Sequence, residues 1–241
     1  MKATSGVRPD LLAGQDLPPI PRQTRSQEKR ARLKAAGLVL FGDKGYEATA
    51  IEDITRRADL AIGGFYQHFR SKRQLLLALM NELLDNLSEF GLRPTGSTDV
   101  RAEVRGVLAR AFSTDAHYFG AYRAWREAML SDSELAVKDD AIRAWTTYRV
   151  TNAFAALQRL PGARSAVDVP GLARAMDSLF WNLLAQVGRL SRMELNRSID
   201  SATHLIYHAL FSDGPRASDE VDVAVSRRRL SGKHHRASKP G

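Results

Sequence analysis

Residues 49–72 read TAIEDITRRADLAIGGFYQHFRSK, and the spacing of their apolar positions predicts two short helices joined by a tight turn. Thr49 with Glu52 has the form of a capping box, which places a helix start at Ala50. Ile51, Ile54 and Ala58 fall at i, i+3 and i+7, giving that helix one apolar face and leaving Glu52, Arg56 and Arg57 in solvent. The turn falls at Asp59, Leu60 and Ala61. Ile62 to Phe69 supplies only about two turns, too few for a helix that stands alone, so packing must hold it, with Phe65 and Phe69, four apart, as anchors. That packing turns Ile62, Gly63, Gly64, Tyr66, Gln67 and His68 outward. Two glycines there cost roughly 1 kcal/mol each relative to Ala. Either GGFY is a Gly-rich turn before a core aromatic, or the backbone approaches something as bulky as a phosphate chain. On the second reading Tyr66 and His68 donate hydrogen bonds to phosphate oxygens, Lys72 adds charge, and Gln67 faces a base edge.

Over Arg25–Leu77 the chain resembles the N-terminal DNA-binding region of the TetR family of bacterial transcriptional regulators. The resemblance rests on LFGDKGYEAT, IEDITRRA and GGFYQHFRSKRQLL at matching spacing, the last following the family pattern of Gly, a small residue, an apolar residue, Tyr, two variable residues, Phe and Ser-Lys. The chain departs from the pattern at Asp59, where a turn Gly is usual and Asp tolerates the left-handed conformation next best. It departs again at Ala61, which replaces a Ser or Thr cap at a cost of about 1 kcal/mol, and at Ile62 and Gly64, which replace polar residues. The resemblance implies an all-α protein: a three-helix DNA-binding domain with a helix-turn-helix over residues 24–72, and a larger helical ligand-binding and dimerisation domain over 73–212. It implies a homodimeric regulator, expected to be a repressor released from double-stranded operator DNA by a small, largely apolar or aromatic effector. The expected DNA-contacting residues are Thr49, Ile62, Gly63, Gly64, Tyr66, Gln67, His68 and Lys72.

Charge bears on the same question. The chain carries 36 Lys+Arg against 27 Asp+Glu, a net +9. Arg22 to Lys72 holds 11 basic and 6 acidic residues, Gly214 to Gly241 holds 7 and 3, and the rest balances. The excess therefore sits on the proposed DNA-binding region and on one tail, as expected of a phosphate-binding module joined to a neutral body. No basic amphipathic helix with a broad apolar face accompanies it, which argues against a membrane surface. With no Cys, disulfides, thiolate zinc sites and Cys nucleophiles are excluded. No apolar run approaches the ~20 residues of a membrane span and no signal-peptide core is present, so the expected location is cytoplasmic.

The Pro-rich residues 1–23 are expected to be disordered, as is the basic tail 213–241. That tail either adds sequence-independent attraction to phosphate or only aids solubility. Thr24 with Gln27 predicts a capping box for a first helix with Leu33, Gly37, Leu40 and Phe41 inward, ended by Gly45. Ser71 with Gln74 predicts the start of a long helix through Leu87, broken at Gly91–Thr98, after which Asp99 caps the next. Further helices are expected through Phe112, through Leu130, from Ser133 to Leu160, from Pro170 to Met193 and from Ser198 to Phe211, with a loop at Pro161–Val167.

Aromatic residues crowd the middle of the chain. Tyr118, Tyr122 and Trp125 share one face and Trp145 with Tyr148 another, a pattern that fits plain core packing as well as a ligand pocket. The candidate pocket residues are Phe112, Tyr118, Tyr122, Trp125, Arg126, Trp145, Tyr148 and Asn152, with His117, Arg123 and Glu127 as further polar groups. Between Leu172 and Leu190, and again from Ile199 to Leu210, apolar positions cover too much of the helix for a one-sided surface helix. These helices are either fully buried in a monomer or, as the resemblance implies, paired across a dimer through Leu179, Leu183, Val187, Ala202, Leu205, Ile206 and Ala209. His204 and His208 are four apart with no third ligand in sight, so no metal and no cofactor is expected. No phosphate loop or nucleophile motif is present, and an enzymatic role is not expected. Two other readings remain: a DNA-binding protein of this fold that answers to a partner protein or to no ligand, and a helical small-molecule-binding protein or enzyme with a vestigial DNA-binding region.

Overall fold

The computed structural model describes residues 6–19, 21–89 and 99–211, and of 113–115 the backbone alone. The expected break at 91–98 and the basic tail lie outside these residues. Nine α-helices are present among the described residues: α1 (Thr24–Lys44), α2 (Ile51–Arg57), α3 (Ile62–Tyr66), α4 (Lys72–Glu89), α5 (Val100–Asp115), α6 (Phe119–Ala128), α7 (Ser133–Leu157), α8 (Val169–Gln186) and α9 (Arg192–Leu210). The chain is all-α.

Helices α1–α3 form a small head. Leu33, Phe41, Ile54, Phe65 and Phe69 are fully buried in its core, with the Phe65 and Phe69 rings 5.8 Å apart. α1 ends at Gly45, whose φ of +86° favours glycine and where a Cβ would run into the Glu127 carboxylate. The expected capping box at Thr24 does not form. Gln23 occupies the cap position without a side-chain bond, and Gln27 instead donates to the Pro21 carbonyl. The α2–α3 turn carries Asp59 at φ +51°, the left-handed position expected of it.

α4 leads from the head into the body. Its N-terminus is capped as expected on one side, with the Gln74 amide donating to Ser71 Oγ at 3.2 Å. The Gln74 side chain, however, accepts from the Arg70 amide rather than reaching back to Ser71. Arg73 ties this end of α4 to the start of α7 through Asp132 at 2.6 Å and Glu134 at 2.7 Å. α6 joins head to body by lying directly on α1. A Cβ at Gly120 would be driven into the Leu38 carbonyl and to 2.8 Å from the Gly42 nitrogen, so only glycine permits this backbone-to-backbone approach. In the body α8 packs on α7 and α9 on α5.

Three helix starts are well specified. Asp99, Asp132 and Asp168 accept from amides of α5, α7 and α8, and Pro170 sits in the first turn of α8 as expected. The last helix begins earlier than its apolar pattern indicated, because Ser191 and Glu194 form a reciprocal capping box that the expected start at Ser198 overlooks. α8 correspondingly stops at Gln186 and a short 3-10 turn spans Val187–Arg189.

The N-terminal extension departs furthest from expectation. Residues 6–19 form a strap along α4 instead of a disordered leader. Gly6 abuts the Tyr148 ring. Arg8 donates to the Asn81 carbonyl at 2.6 Å and pairs with Asp85 at 2.8 Å. Leu11 is buried in the main core with Leu12 and Leu17 packed beside it. Asp16 accepts from Arg70 and Gln74 at 2.9 Å each. Three leucines and paired polar ends supply the burial that a merely Pro-rich composition conceals.

Candidate nucleic-acid interface and ligand cavity

On the head, α3 presents one face to solvent. Ile62 is 45% and Tyr66 50% exposed, with Gly63 and Gln67 exposed beside them and Gly64 half-buried. These residues sit where the sequence placed them because Phe65 and Phe69 hold the opposite face. A Cβ at Gly63 would meet nothing within 4 Å, so no protein neighbour demands a glycine there. Basic residues are exposed elsewhere on the head: Arg57 at the end of α2, Arg22 just before α1, and Arg25 and Lys29 in its first turns.

Two residues expected on this face are inside the head. Thr49 is 1% exposed, and its hydroxyl donates to the carbonyls of Gly45 at 2.6 Å and Leu40 at 3.3 Å. It therefore neither caps α2, which starts at Ile51 after Ala50, nor reaches solvent. His68 is 2% exposed, because Phe69 draws the chain inward while Arg30 lies over the Phe69 ring at 4.3 Å and donates to the His68 carbonyl at 2.8 Å. Neither His68 ring nitrogen has a hydrogen-bond partner among the described residues. Burial, with Arg30 and Lys29 nearby, holds its pKa below the ordinary histidine value. Lys72 is half-buried. Its ammonium donates to the Tyr46 carbonyl at 2.6 Å and lies over the Tyr46 ring at 4.4 Å, so it pins the loop before α2.

The same loop is pinned from the body. Glu127 of α6 accepts from the Tyr46 amide at 2.7 Å and the Glu47 amide at 3.0 Å. The Glu47 amide, helped by the Tyr46 amide, holds this carboxyl below its usual range. Arg123, one turn earlier, donates to the Gly42 carbonyl at the end of α1. α6 thus grips the segment that carries the helix-turn-helix.

The body holds a predominantly apolar, half-open cavity of about 400 Å³ between α4, α5, α7, α8 and α9. Of the residues expected to line a pocket, Phe112, Trp145 and Asn152 do so. The others are elsewhere. Tyr122 is buried with its hydroxyl accepting from Arg143 at 2.7 Å and its ring on Trp181. Trp125 is fully buried and donates to Asp139 at 2.9 Å. Tyr118 is half-buried against the main core, Arg126 is exposed, and Tyr148, 44% exposed, meets the strap. Among the further polar groups, Arg123 and Glu127 hold the head and His117 is exposed.

Four residues expected at a dimer interface, Leu179, Leu183, Ala202 and Ile206, line this cavity. Their helices border this void, so the breadth of apolar surface that pointed to a second chain is turned inward in part. Val187 is buried within the chain at 8% exposure, Leu205 is 52% exposed, and Ala209 is half-buried. The wall also holds one acid, Asp177, and one base, Arg149, which sequence reasoning missed. Asp177 is 4% exposed and accepts from Thr147 Oγ1 at 3.3 Å. Burial pushes its pKa up, against hydrogen bonds from Thr146, Thr147 and Trp181 and the charge of Arg143. One signal existed: Asp177 is the lone acidic residue between Pro170 and Leu190.

Residues 33–79 match the profile of the bacterial regulatory proteins of the tetR family. The HTH-type transcriptional activator FasR of Mycolicibacterium smegmatis is 35% identical over 98 residues, 40% of this chain and 44% of FasR. The HTH-type transcriptional repressor KstR of Rhodococcus jostii is 34% identical over 70 residues, 29% of this chain and 33% of KstR. The chain thus matches less than half the length of these curated relatives. Among solved structures, the SmeT–triclosan complex superposes with a TM-score of 0.61 at 22% identity, covering 78% of this chain and 94% of SmeT, which extends the likeness in fold across the body. Residues 33–79, which carry the helix-turn-helix exposed on a head gripped by α6, thus belong to the tetR family of bacterial regulatory proteins by sequence, and the body shares the fold of SmeT.

Proposed function

We propose that this chain is a homodimeric transcriptional regulator that binds operator DNA through the exposed face of α3 and acts as a repressor released by a small, largely apolar or aromatic effector. The observation that carries the reading is the unbroken contact from cavity to head. Asp177 and Phe180 line the cavity on α8, and Trp181 beside them packs on Tyr122 of α6 with ring centroids 4.9 Å apart. Further along α6, Arg123 and Glu127 hold the end of α1 and the loop before α2. An effector that favours one placement of α8 therefore biases the placement of α3, and weakens DNA binding by its differential affinity for the two arrangements. That SmeT holds triclosan supports a small-molecule effector for this fold. FasR is an activator and KstR a repressor, so the sign depends on where the operator lies relative to the promoter.

Dimerisation is supported by geometry as well as by resemblance. A helix-turn-helix of this size usually works in two copies, one DNA turn of about 34 Å apart. On α8 and α9 the exposed residues Ala175, Ser178, Ser201 and Leu205 are small or apolar, set among charged ones such as Arg174, Arg197 and Asp200. Genomic-fragment selection followed by footprinting tests the function. The expected result is a protected site of two half-sites about one helical turn apart, with a reporter gene silenced from it; selection that enriches no sequence would overturn the reading.

A further inference from the structure

We propose that the cavity selects an organic cation: a protonated or quaternary amine on an aromatic or aliphatic body, its positive charge set against the Asp177 carboxylate. The inference rests on the reading of this cavity as the effector site and narrows that reading to a ligand class.

Asp177 is the acid of a wall otherwise apolar except for Thr146, Asn152 and Arg149. It is 4% exposed, and among the described residues no cation forms an ion pair with it. Its hydrogen-bond donors, Thr146, Thr147 and Trp181, are all neutral. The nearest candidate counterion, Arg143, is committed elsewhere: to Asp139 at 3.3 Å, to the Tyr122 hydroxyl at 2.7 Å and to the face of Trp181 at 4.7 Å. Arg149 is committed too. It donates to the carbonyls of Leu87 at 3.0 Å and Ser88 at 3.2 Å at the end of α4, and lies over the Trp145 ring at 5.1 Å.

A buried carboxylate without a counterion is unfavourable and is neutralised by a proton or by a cation. The raised pKa of this group reflects that cost. A bound ammonium relieves it and packs among Phe112, Trp145 and Phe180 of the wall, whose rings attract cations, most strongly when the charge is desolvated. A neutral ligand of the same shape gains burial alone. A carboxylate ligand meets Asp177 with like charge, and the Arg149 guanidinium that would attract it is already drawn to the end of α4. The affinity order follows: cation above neutral, neutral above anion.

Isothermal titration calorimetry on the full chain tests the order with four probes of one shape: (1-naphthylmethyl)trimethylammonium, 1-naphthylmethylamine, 1-naphthylmethanol and 1-naphthoate. Both cations should bind at least about tenfold more tightly than the alcohol, a difference of roughly 1.4 kcal/mol, with naphthoate weakest. Asp177→Asn, close to isosteric, should erase the cation preference and leave alcohol affinity within about twofold; if that variant does not fold, the wild-type order decides. Equal binding of alcohol and cations, tightest binding of naphthoate, or a cation preference that survives in folded Asp177→Asn overturns the inference while the cavity stands as an effector site. Failure of all four probes to bind overturns the cavity reading and this inference with it.

Discussion

The head and the body place their proposed working residues by opposite plans. In the head a solid core pushes the functional side chains outward: Phe65 and Phe69, both fully buried, leave Ile62, Gly63, Tyr66 and Gln67 no place but the surface. In the body five helices from Leu87 to Ile206 stand around a void and turn their functional side chains inward. A surface reader is specified by residues three and four apart on one short helix. A cavity is specified only by the fold as a whole.

That contrast gives a first way to break the account. Phe65→Ala should cost about 3–5 kcal/mol, because the ring is packed on all sides and its removal leaves a hole. Phe112→Ala should cost about 1–2 kcal/mol less, since a ring with one side on a void has fewer dispersion contacts to lose. Urea unfolding of both variants measures the difference, and equal costs would mean the cavity is not open in solution.

Removing residues 1–19 should destabilise the chain by about 2–3 kcal/mol, the value of one fully buried Leu side chain, Leu11, with smaller contributions from Leu12 and Leu17. The strap spans head and body from Arg70 to Tyr148, so the loss should appear in the melting temperature of the whole chain. An unchanged melting temperature would restore the expectation of a disordered leader.

The head should also respond to pH. His68 binds its proton less readily in the folded chain than in the unfolded one, through burial first and then Arg30 and Lys29. The stability it permits is therefore complete above the ordinary histidine pKa of about 6.5, and is lost as pH falls from there through the lower folded value. The melting temperature of wild type should drop between pH 7.5 and 5.5 more than that of His68→Leu; parallel curves would show that the imidazole is not buried neutral.

The smallest effect on stability separates the two readings that the glycines left open. Gly63→Ala should raise stability by about 0.5–1 kcal/mol, because the position is helical and its Cβ has room. The same variant should lose operator affinity if a phosphate approaches that backbone. A gain in stability with unchanged DNA binding would reduce GGFY to a turn.

Legibility in the sequence followed the same division. The head could be read almost residue by residue, down to the left-handed Asp59, because its signals are local. Among the failures there, Thr49 and His68 are polar residues next to anchors: a β-branched hydroxyl finds two carbonyls inside, and an imidazole is carried under Arg30 by Phe69. In the body the aromatics at helical spacing misled. Tyr122 and Trp125 are the most tightly held, through Arg143 and Asp139, whereas much of the wall is Val, Leu, Ala and Met, which announce nothing in a sequence. The strap was missed because its prolines speak locally and its leucines act only against α4.

The central claim, that the exposed face of α3 reads DNA, is tested most directly by a fluorescence-anisotropy titration of the footprinted operator with wild type and with Tyr66→Ala/Gln67→Ala. Both side chains are exposed, so the double variant should unfold like wild type. Each lost contact is worth about 1–1.5 kcal/mol, so operator affinity should fall by roughly 100-fold, with a shallower salt dependence only to the extent that phosphate contacts are lost. Binding of the folded double variant to the operator with wild-type affinity would contradict the account.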